Sequence, residues 1–97
     1  MFAERNITTE RRRSTRSSVQ IDAVLHAAQS SQTVTITNLA PEGVGLHVAV
    51  GLMPGDVVEI ELKNGRMLPG EVVWRLMGSC GIHFSEPLSE DDPLLQI

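Results

Sequence analysis

Hydrophobic and polar residues alternate along most of the chain between positions 19 and 84. The alternation has the period of two that is typical of β-strands with one buried face. It predicts six strands, over residues 19–26, 33–38, 44–48, 57–62, 67–75 and 79–84. Turn-forming Pro, Gly and Asn residues separate most of these segments and leave little room for helices.

The apolar positions of each predicted strand define the predicted core, because alternate side chains of a strand share one face. Trp74 is assigned to this core because it shares the face of Val72, which favours a buried position over an exposed stacking surface. The predicted inward residues are Val19, Ile21, Ala23 and Leu25; Val34 and Ile36; Val44, Leu46 and Val48; Val58, Ile60 and Leu62; Leu68, Val72 and Trp74; and Cys80, Ile82 and Phe84.

Six short strands joined by tight turns predict an all-β fold in a single domain of 97 residues. A small six-stranded antiparallel β-barrel is favoured because a closed barrel has no unpaired edge strands. Residues 1–17 lack hydrophobic periodicity and are predicted to form a flexible arm. Residues 18–88 form the predicted barrel, and residues 89–97 form an acidic tail with at most one helical turn after Ser89.

Charge is strongly divided along the chain. Residues 1–18 carry five Arg and two Glu, whereas the remaining residues carry three basic and ten acidic side chains, for a total of −4. The acidic body argues against binding to DNA, RNA or membranes, since repulsion offsets the attraction of the arm. Because every basic residue of the arm is Arg, the arm is suited to bidentate recognition of a compact anion.

Candidate catalytic and metal-binding groups do not converge in the sequence. Cys80 and His83 lie three positions apart on one predicted strand and therefore face opposite sides of the sheet. Glu59 and Glu61 alternate outward, with no apolar pocket to favour an acid–base role. The sequence predicts a protein that is not an enzyme and holds no metal or cofactor. A single cysteine, no secretory signal and no long apolar run predict a cytoplasmic location.

Two short motifs combine groups that suit a phosphorylated guanine compound. Residues 12–16 read Arg-x-x-x-Arg, and residues 38–43 read Asn-x-Ala-x-x-Gly between two predicted strands. Arginine donates bidentately to guanine O6 and N7 or to phosphate, and an Asn carbonyl accepts from guanine N–H groups. Gly43 allows either close approach of a ligand to the backbone or a positive φ angle.

The order and spacing of these motifs, with the segments GLMPGDVVEIEL and GSCGIHF, resemble the PilZ domain family over roughly residues 10–88. The resemblance implies a six-stranded antiparallel β-barrel and a receptor for the bacterial second messenger cyclic di-GMP. It implies that the arm grips guanine and phosphate while the turn lines the surface on which a guanine rests. The implied ligand-binding residues are Arg11, Arg12, Arg13 and Arg16 in the arm, and Asn38, Ala40 and Gly43 at the turn.

Ala40 departs from the family pattern, which has Ser at that position. The loss of one hydrogen bond to the ligand costs about 0.5–1.5 kcal/mol, which is roughly threefold to tenfold in affinity. The resemblance implies a receptor in which cyclic di-GMP, bound singly or as a stacked pair, orders the arm for an unidentified effector protein. No interface signature is visible in the sequence, so the expected oligomeric state is a monomer.

Two other functions are consistent with the sequence. A PilZ-like adaptor would bind a partner without nucleotide, through the outer sheet face or the acidic tail. A small barrel that binds single-stranded nucleic acid is disfavoured by the acidic body and by a total of three aromatic residues, two Phe and one Trp.

Overall fold

A computed structural model of the protein describes residues 17–47 and 49–96. Six antiparallel strands close into a barrel with the neighbour order β1-β2-β3-β6-β5-β4, and the pairing of β1 with β4 completes the ring. The predicted all-β, six-stranded barrel is confirmed. The strands are β1 Ser17–His26, β2 Ser31–Ala40, β3 Gly43–His47, β4 Val57–Leu62, β5 Met67–Leu76 and β6 Ser79–Phe84.

The predicted strands match the observed ones to within one or two residues at each end, because the alternating pattern continues to the strand ends. Residues 1–16 of the predicted arm and the predicted inward residue Val48 lie outside the described residues. The core fills the barrel with inward side chains from all six strands, joined by residues of the loop before β4 and of the C-terminal segment. These additional core residues are Ala49, Leu52, Leu88 and Leu94.

The prediction that Trp74 belongs to the core is wrong. The pairing of β5 with β6 shifts register between Val72 and Trp74, so Val73 is an extra residue that forms a bulge. A bulge of one residue reverses the alternation of side chains beyond it. Val72 therefore points into the barrel and is fully buried, whereas the Trp74 side chain lies on the outer surface and is 44% exposed.

The turn predicted between Asn38 and Gly43 is shorter than the sequence indicates. Strand β2 continues to Ala40, and only Pro41 and Glu42 separate it from β3. Asn38 and Ala40 are therefore strand residues, and Asn38 pairs with Gly45 after a register shift next to Ile36.

The C-terminal segment packs against the barrel. Residues Pro93–Gln96 form the predicted single turn, as a 3-10 helix, and Leu94 is buried. Arg66 donates to both carboxylate oxygens of Asp92, over 2.7 and 2.6 Å, and the backbone N–H of Leu94 donates to the same carboxylate over 2.9 Å. This bidentate pair joins the β4–β5 hairpin to the tail.

We expect the pair of Arg66 and Asp92 to make stability depend on pH under acidic conditions. The hydrogen bonds from Arg66 and from the backbone of Leu94 lower the pKa of Asp92 from 3.8 to about 2. A lowered pKa in the folded state stabilises the protein above the unfolded-state value, and this stabilisation is lost as the pH falls from 3.8 through about 2. Thermal unfolding measured over this pH range should show that acid lowers the melting temperature of Asp92→Asn less than that of the wild type. Equal losses in the two proteins would contradict this role.

The turn between β5 and β6 contains strained backbone. Met77 has a φ angle of 48°, and the following Gly78 has 85°. A two-residue hairpin loop with two positive φ angles favours Asn-Gly, because a Met side chain crowds the following carbonyl group in this conformation.

We expect Met77→Asn to stabilise the protein by about 0.5–1 kcal/mol, because Asn adopts this conformation at lower cost. The thermal midpoint should rise by roughly 2–8 °C for a domain of this size. Met77→Leu keeps both the strain and the apolar side chain and should melt close to the wild type. A lower midpoint for Met77→Asn would show that the Met side chain contributes more to stability than the strain removes.

Candidate functional site

One row of residues crosses five neighbouring strands on the outer surface of the barrel. Ser18 pairs with Asn38, Asn38 with Gly45, Gly45 with Gly81, and Gly81 with Trp74. We call Ser18, Asn38, Gly45, Gly81 and Trp74 the outer row. In this row, the motif residue Asn38 and the exposed indole of Trp74 are three strand spacings apart, which is roughly 14 Å.

The two glycines of the outer row let large side chains lie flat on the sheet. Each glycine stands between two buried neighbours, so a side chain at that position would point outward. A Cβ at Gly45 would overlap the Asn38 amide, and a Cβ at Gly81 would overlap the indole of Trp74. The Asn38 amide and the Trp74 ring therefore rest directly on backbone, with Gly45 and Gly81 beneath them.

Gly43 has a structural role that the sequence did not reveal. Its φ angle is not positive, so the alternative of a left-handed backbone at this motif position is wrong. A Cβ at Gly43 would overlap the backbone oxygen of Ile82 on β6. Close pairing of β3 with β6 therefore requires glycine at this position, and its predicted contact with a ligand stays a prediction.

Ala40, which replaces the Ser of the family pattern, is fully buried at the end of β2. Its backbone pairs with Gly43, directly before the turn at Pro41 and Glu42. The predicted contact of this position with a ligand also stays a prediction.

The arginine-rich segment joins the barrel next to the outer row. Ser17, the first described residue, pairs with Leu39, and Ser18 pairs with Asn38. Arg16 directly precedes Ser17 in the sequence. The positions of Arg11, Arg12, Arg13 and Arg16 themselves lie outside the described residues.

The groups considered for catalysis or metal binding are separated by the barrel wall. Cys80 is buried, and burial raises the pKa of its thiol. His83 is exposed on the outer face, as the alternation predicts. Among the described residues, no three His, Cys, Asp or Glu side chains lie close enough together to hold a metal ion.

Another polar cluster lies where β1 meets β4. The His26 ring is 2.7 Å from both Glu61 Oε1 and Ser31 Oγ, through its two nitrogens. These contacts tie β1 to both of its neighbouring strands.

The closed barrel and its outer row define a small domain that presents a binding surface on its outer wall. The family model described as PilZ domain matches residues 10–96. The protein therefore belongs to the PilZ domain family, a family of cyclic di-GMP receptors whose members are binding or adaptor domains rather than enzymes.

A solved structure supports the fold assignment. The protein is similar to the crystal structure of the PilZ domain of CeSA from a cellulose synthesizing bacterium, with a TM-score of 0.66 and 19% sequence identity. The match covers 86% of this chain and 87% of that chain, and at this identity it shows a shared fold. A comparison with curated proteins finds no match. Over the described part of the chain, no helix is sufficiently long and apolar to span a membrane.

The sequence did not indicate that Gly81 and Trp74 belong to the outer row. Trp74 was assigned to the core because the bulge at Val73 leaves no mark in the alternating pattern. Gly81 was passed over, although a glycine flanked by the inward residues Cys80 and Ile82 is a sign that something lies against the outer backbone. Reading Gly81 in this way would have indicated an outward partner for it.

Proposed function

We propose that this protein is a cyclic di-GMP receptor that binds the nucleotide between its arginine-rich arm and the outer row. The proposal rests on membership of the PilZ family and on the complete Arg-x-x-x-Arg motif. The observation that carries it is the pairing of Ser17 and Ser18 with Leu39 and Asn38. Arg16, the last residue of the arginine motif, directly precedes Ser17 in the sequence.

The outer row supplies groups that suit a guanine base. The Asn38 side chain offers a carbonyl oxygen to guanine N–H groups and an amide to an acceptor. The exposed indole of Trp74 offers a flat apolar surface, and stacking of a base on an aromatic ring contributes about 1–3 kcal/mol. Gly45 and Gly81 have no side chains, so the Asn38 amide and the Trp74 ring can lie flat on the sheet at these positions.

The arm supplies the net positive charge that the barrel lacks. Cyclic di-GMP carries two phosphate groups, and the described barrel has three basic and ten acidic side chains, so its net charge disfavours binding unless the arm contributes cations. Arg12 and Arg16 grip guanine and phosphate in this proposal, and Arg11 and Arg13 add further contacts. Binding fixes the arm against the barrel and so changes the surface that an effector protein meets.

Tryptophan fluorescence provides a direct test, because Trp74 is the only tryptophan of the chain. Stacking of a guanine on the indole should quench its emission as cyclic di-GMP is added, and GTP at the same concentration should have a much smaller effect. If calorimetry shows binding but the emission does not change, the proposed contact with Trp74 would be contradicted and the receptor function would not. Absence of both signals would contradict the receptor function.

Ala40 favours a second candidate function, a PilZ-like adaptor without nucleotide binding. The side chain at this motif position carries no hydroxyl group and is fully buried. An adaptor would keep the barrel and its partner-binding surface, and its melting temperature would not respond to cyclic di-GMP.

A further inference from the structure

Four exposed apolar side chains lie at the end of the barrel where β5 turns into β6. Val50 is 68% exposed, Met53 56%, Leu76 66% and Met77 91%. We call these four residues the hairpin patch. Leu76 follows Trp74 by two residues on β5, so the patch borders the outer row without belonging to it.

Hydrogen bonds hold the two halves of the hairpin patch together. The Ala49 N–H donates to the Gly78 carbonyl over 3.1 Å, which fixes the loop before β4 against the hairpin turn. Arg75 Nη1 donates to the Leu52 carbonyl over 3.3 Å and lies 3.2 Å from Met53 Sδ. The patch is therefore a fixed surface with a guanidinium group beside it.

Met77 is both strained and exposed. Its φ angle of 48° disfavours any residue with a side chain of this size, and exposure leaves the thioether with almost no burial to offset that strain. An apolar side chain held outward in this way gains burial only when another molecule covers it. Methionine is also well suited to contacts with varied apolar partners, because its side chain is flexible and polarizable.

Arg75 indicates the charge of the molecule that covers the patch. Arg66 pairs with Asp92, and Lys63 lies 3.8 Å from Asp22. Within residues 17–47 and 49–96, Arg75 is the one Lys or Arg side chain that has no carboxylate within ion-pair distance. Its cation can therefore pair with a carboxylate on a partner.

We infer that the hairpin patch docks a segment of a partner protein that presents apolar side chains together with a carboxylate. A second copy of this chain is a poorer occupant, because a two-fold contact through the patch would bring two Arg75 side chains together. The inference goes beyond the proposed function by naming a surface that receives a partner protein. It does not require nucleotide binding.

The test uses a phage-displayed library of random short peptides selected against the wild-type 97-residue protein without nucleotide. Selected sequences should be rich in apolar residues and contain Asp or Glu. Synthetic versions of these peptides are then titrated onto the wild type, Met77→Asn, Arg75→Gln and Val57→Thr. Val57 is exposed but lies outside the patch, so its variant is the matched control.

We expect binding to weaken by about tenfold or more in Met77→Asn and Arg75→Gln, and to be unchanged in Val57→Thr. Circular dichroism should show that all three variants are folded. Failure to select peptides of this chemistry, or equal binding to Met77→Asn, would overturn the inference. The inference would also be overturned if sedimentation velocity showed that the wild type is a dimer and that Met77→Asn is a monomer. The molecule that covers the patch would then be a second copy of this chain. Cyclic di-GMP titration of the same variants separates this result from any failure of the receptor function.

Discussion

Replacing Arg12 and Arg16 together by Ala should lower the affinity for cyclic di-GMP by at least about 100-fold. A hydrogen bond to a charged group contributes about 1.5–3 kcal/mol, so the loss of two such contacts exceeds two factors of ten. The acidic barrel cannot compensate, because its own field repels the phosphates. The melting temperature without ligand should stay close to that of the wild type, since both residues precede Ser17, the first residue of β1, in the sequence.

A charge-matched variant separates a specific contact from general attraction. Arg5→Ala combined with Lys63→Gln removes the same formal charge and leaves the Arg-x-x-x-Arg motif intact. Lys63 and Asp22 are both exposed at 3.8 Å, so the loss of this pair changes stability very little. Affinity in this control should fall only slightly. Equal losses in the two double variants would show that the motif acts through net charge alone.

Replacing Gly43 by Ala should destabilise the fold by about 3 kcal/mol or more. The added Cβ would overlap the backbone oxygen of Ile82, and a backbone atom cannot move aside as a flexible side chain can. Because β3 pairs with β6 at this point, relief of the overlap would separate the two strands. The melting temperature without ligand should fall by more than about 10 °C for a domain of this size.

Gly45→Ala is the matched control, because it adds the same methyl group two residues along the same strand. Its Cβ meets the Asn38 side chain, which can rotate away, so the expected loss of stability is below about 1.5 kcal/mol. Binding of cyclic di-GMP should nevertheless weaken, since the Asn38 amide would leave its place on the sheet. If Gly43→Ala melts like the wild type and only loses nucleotide binding, the role of Gly43 is ligand approach rather than strand pairing.

The alternating pattern was sufficient to predict the barrel because most strands keep the same inward face along their length. Val34 and Ile36, or Val58, Ile60 and Leu62, are buried as their spacing indicates. The errors occur where register shifts. Because of the bulge at Val73, Trp74 lies on the outer surface and not in the predicted core. The alternating pattern of one strand does not show which of its residues lacks a partner on the neighbouring strand.

The candidate site was predictable only in part, since it depends on pairing between distant segments. The motif residues Asn38 and Gly43 were found from their chemistry, but Gly81 and Trp74 join Asn38 only through three successive strand pairings. The pair of Arg66 and Asp92 likewise links residues that are 26 positions apart. Contacts of this kind follow from the closed barrel and are not encoded in any short stretch of sequence.

The most direct test of the receptor function is calorimetric titration of the purified 97-residue protein with cyclic di-GMP, with GTP as the control. We predict saturable binding in the micromolar range or tighter, and no comparable binding of GTP. The loss of one ligand hydrogen bond at Ala40 accounts for only about threefold to tenfold in affinity. The absence of heat and of any change in melting temperature with cyclic di-GMP would contradict the receptor function and favour the adaptor.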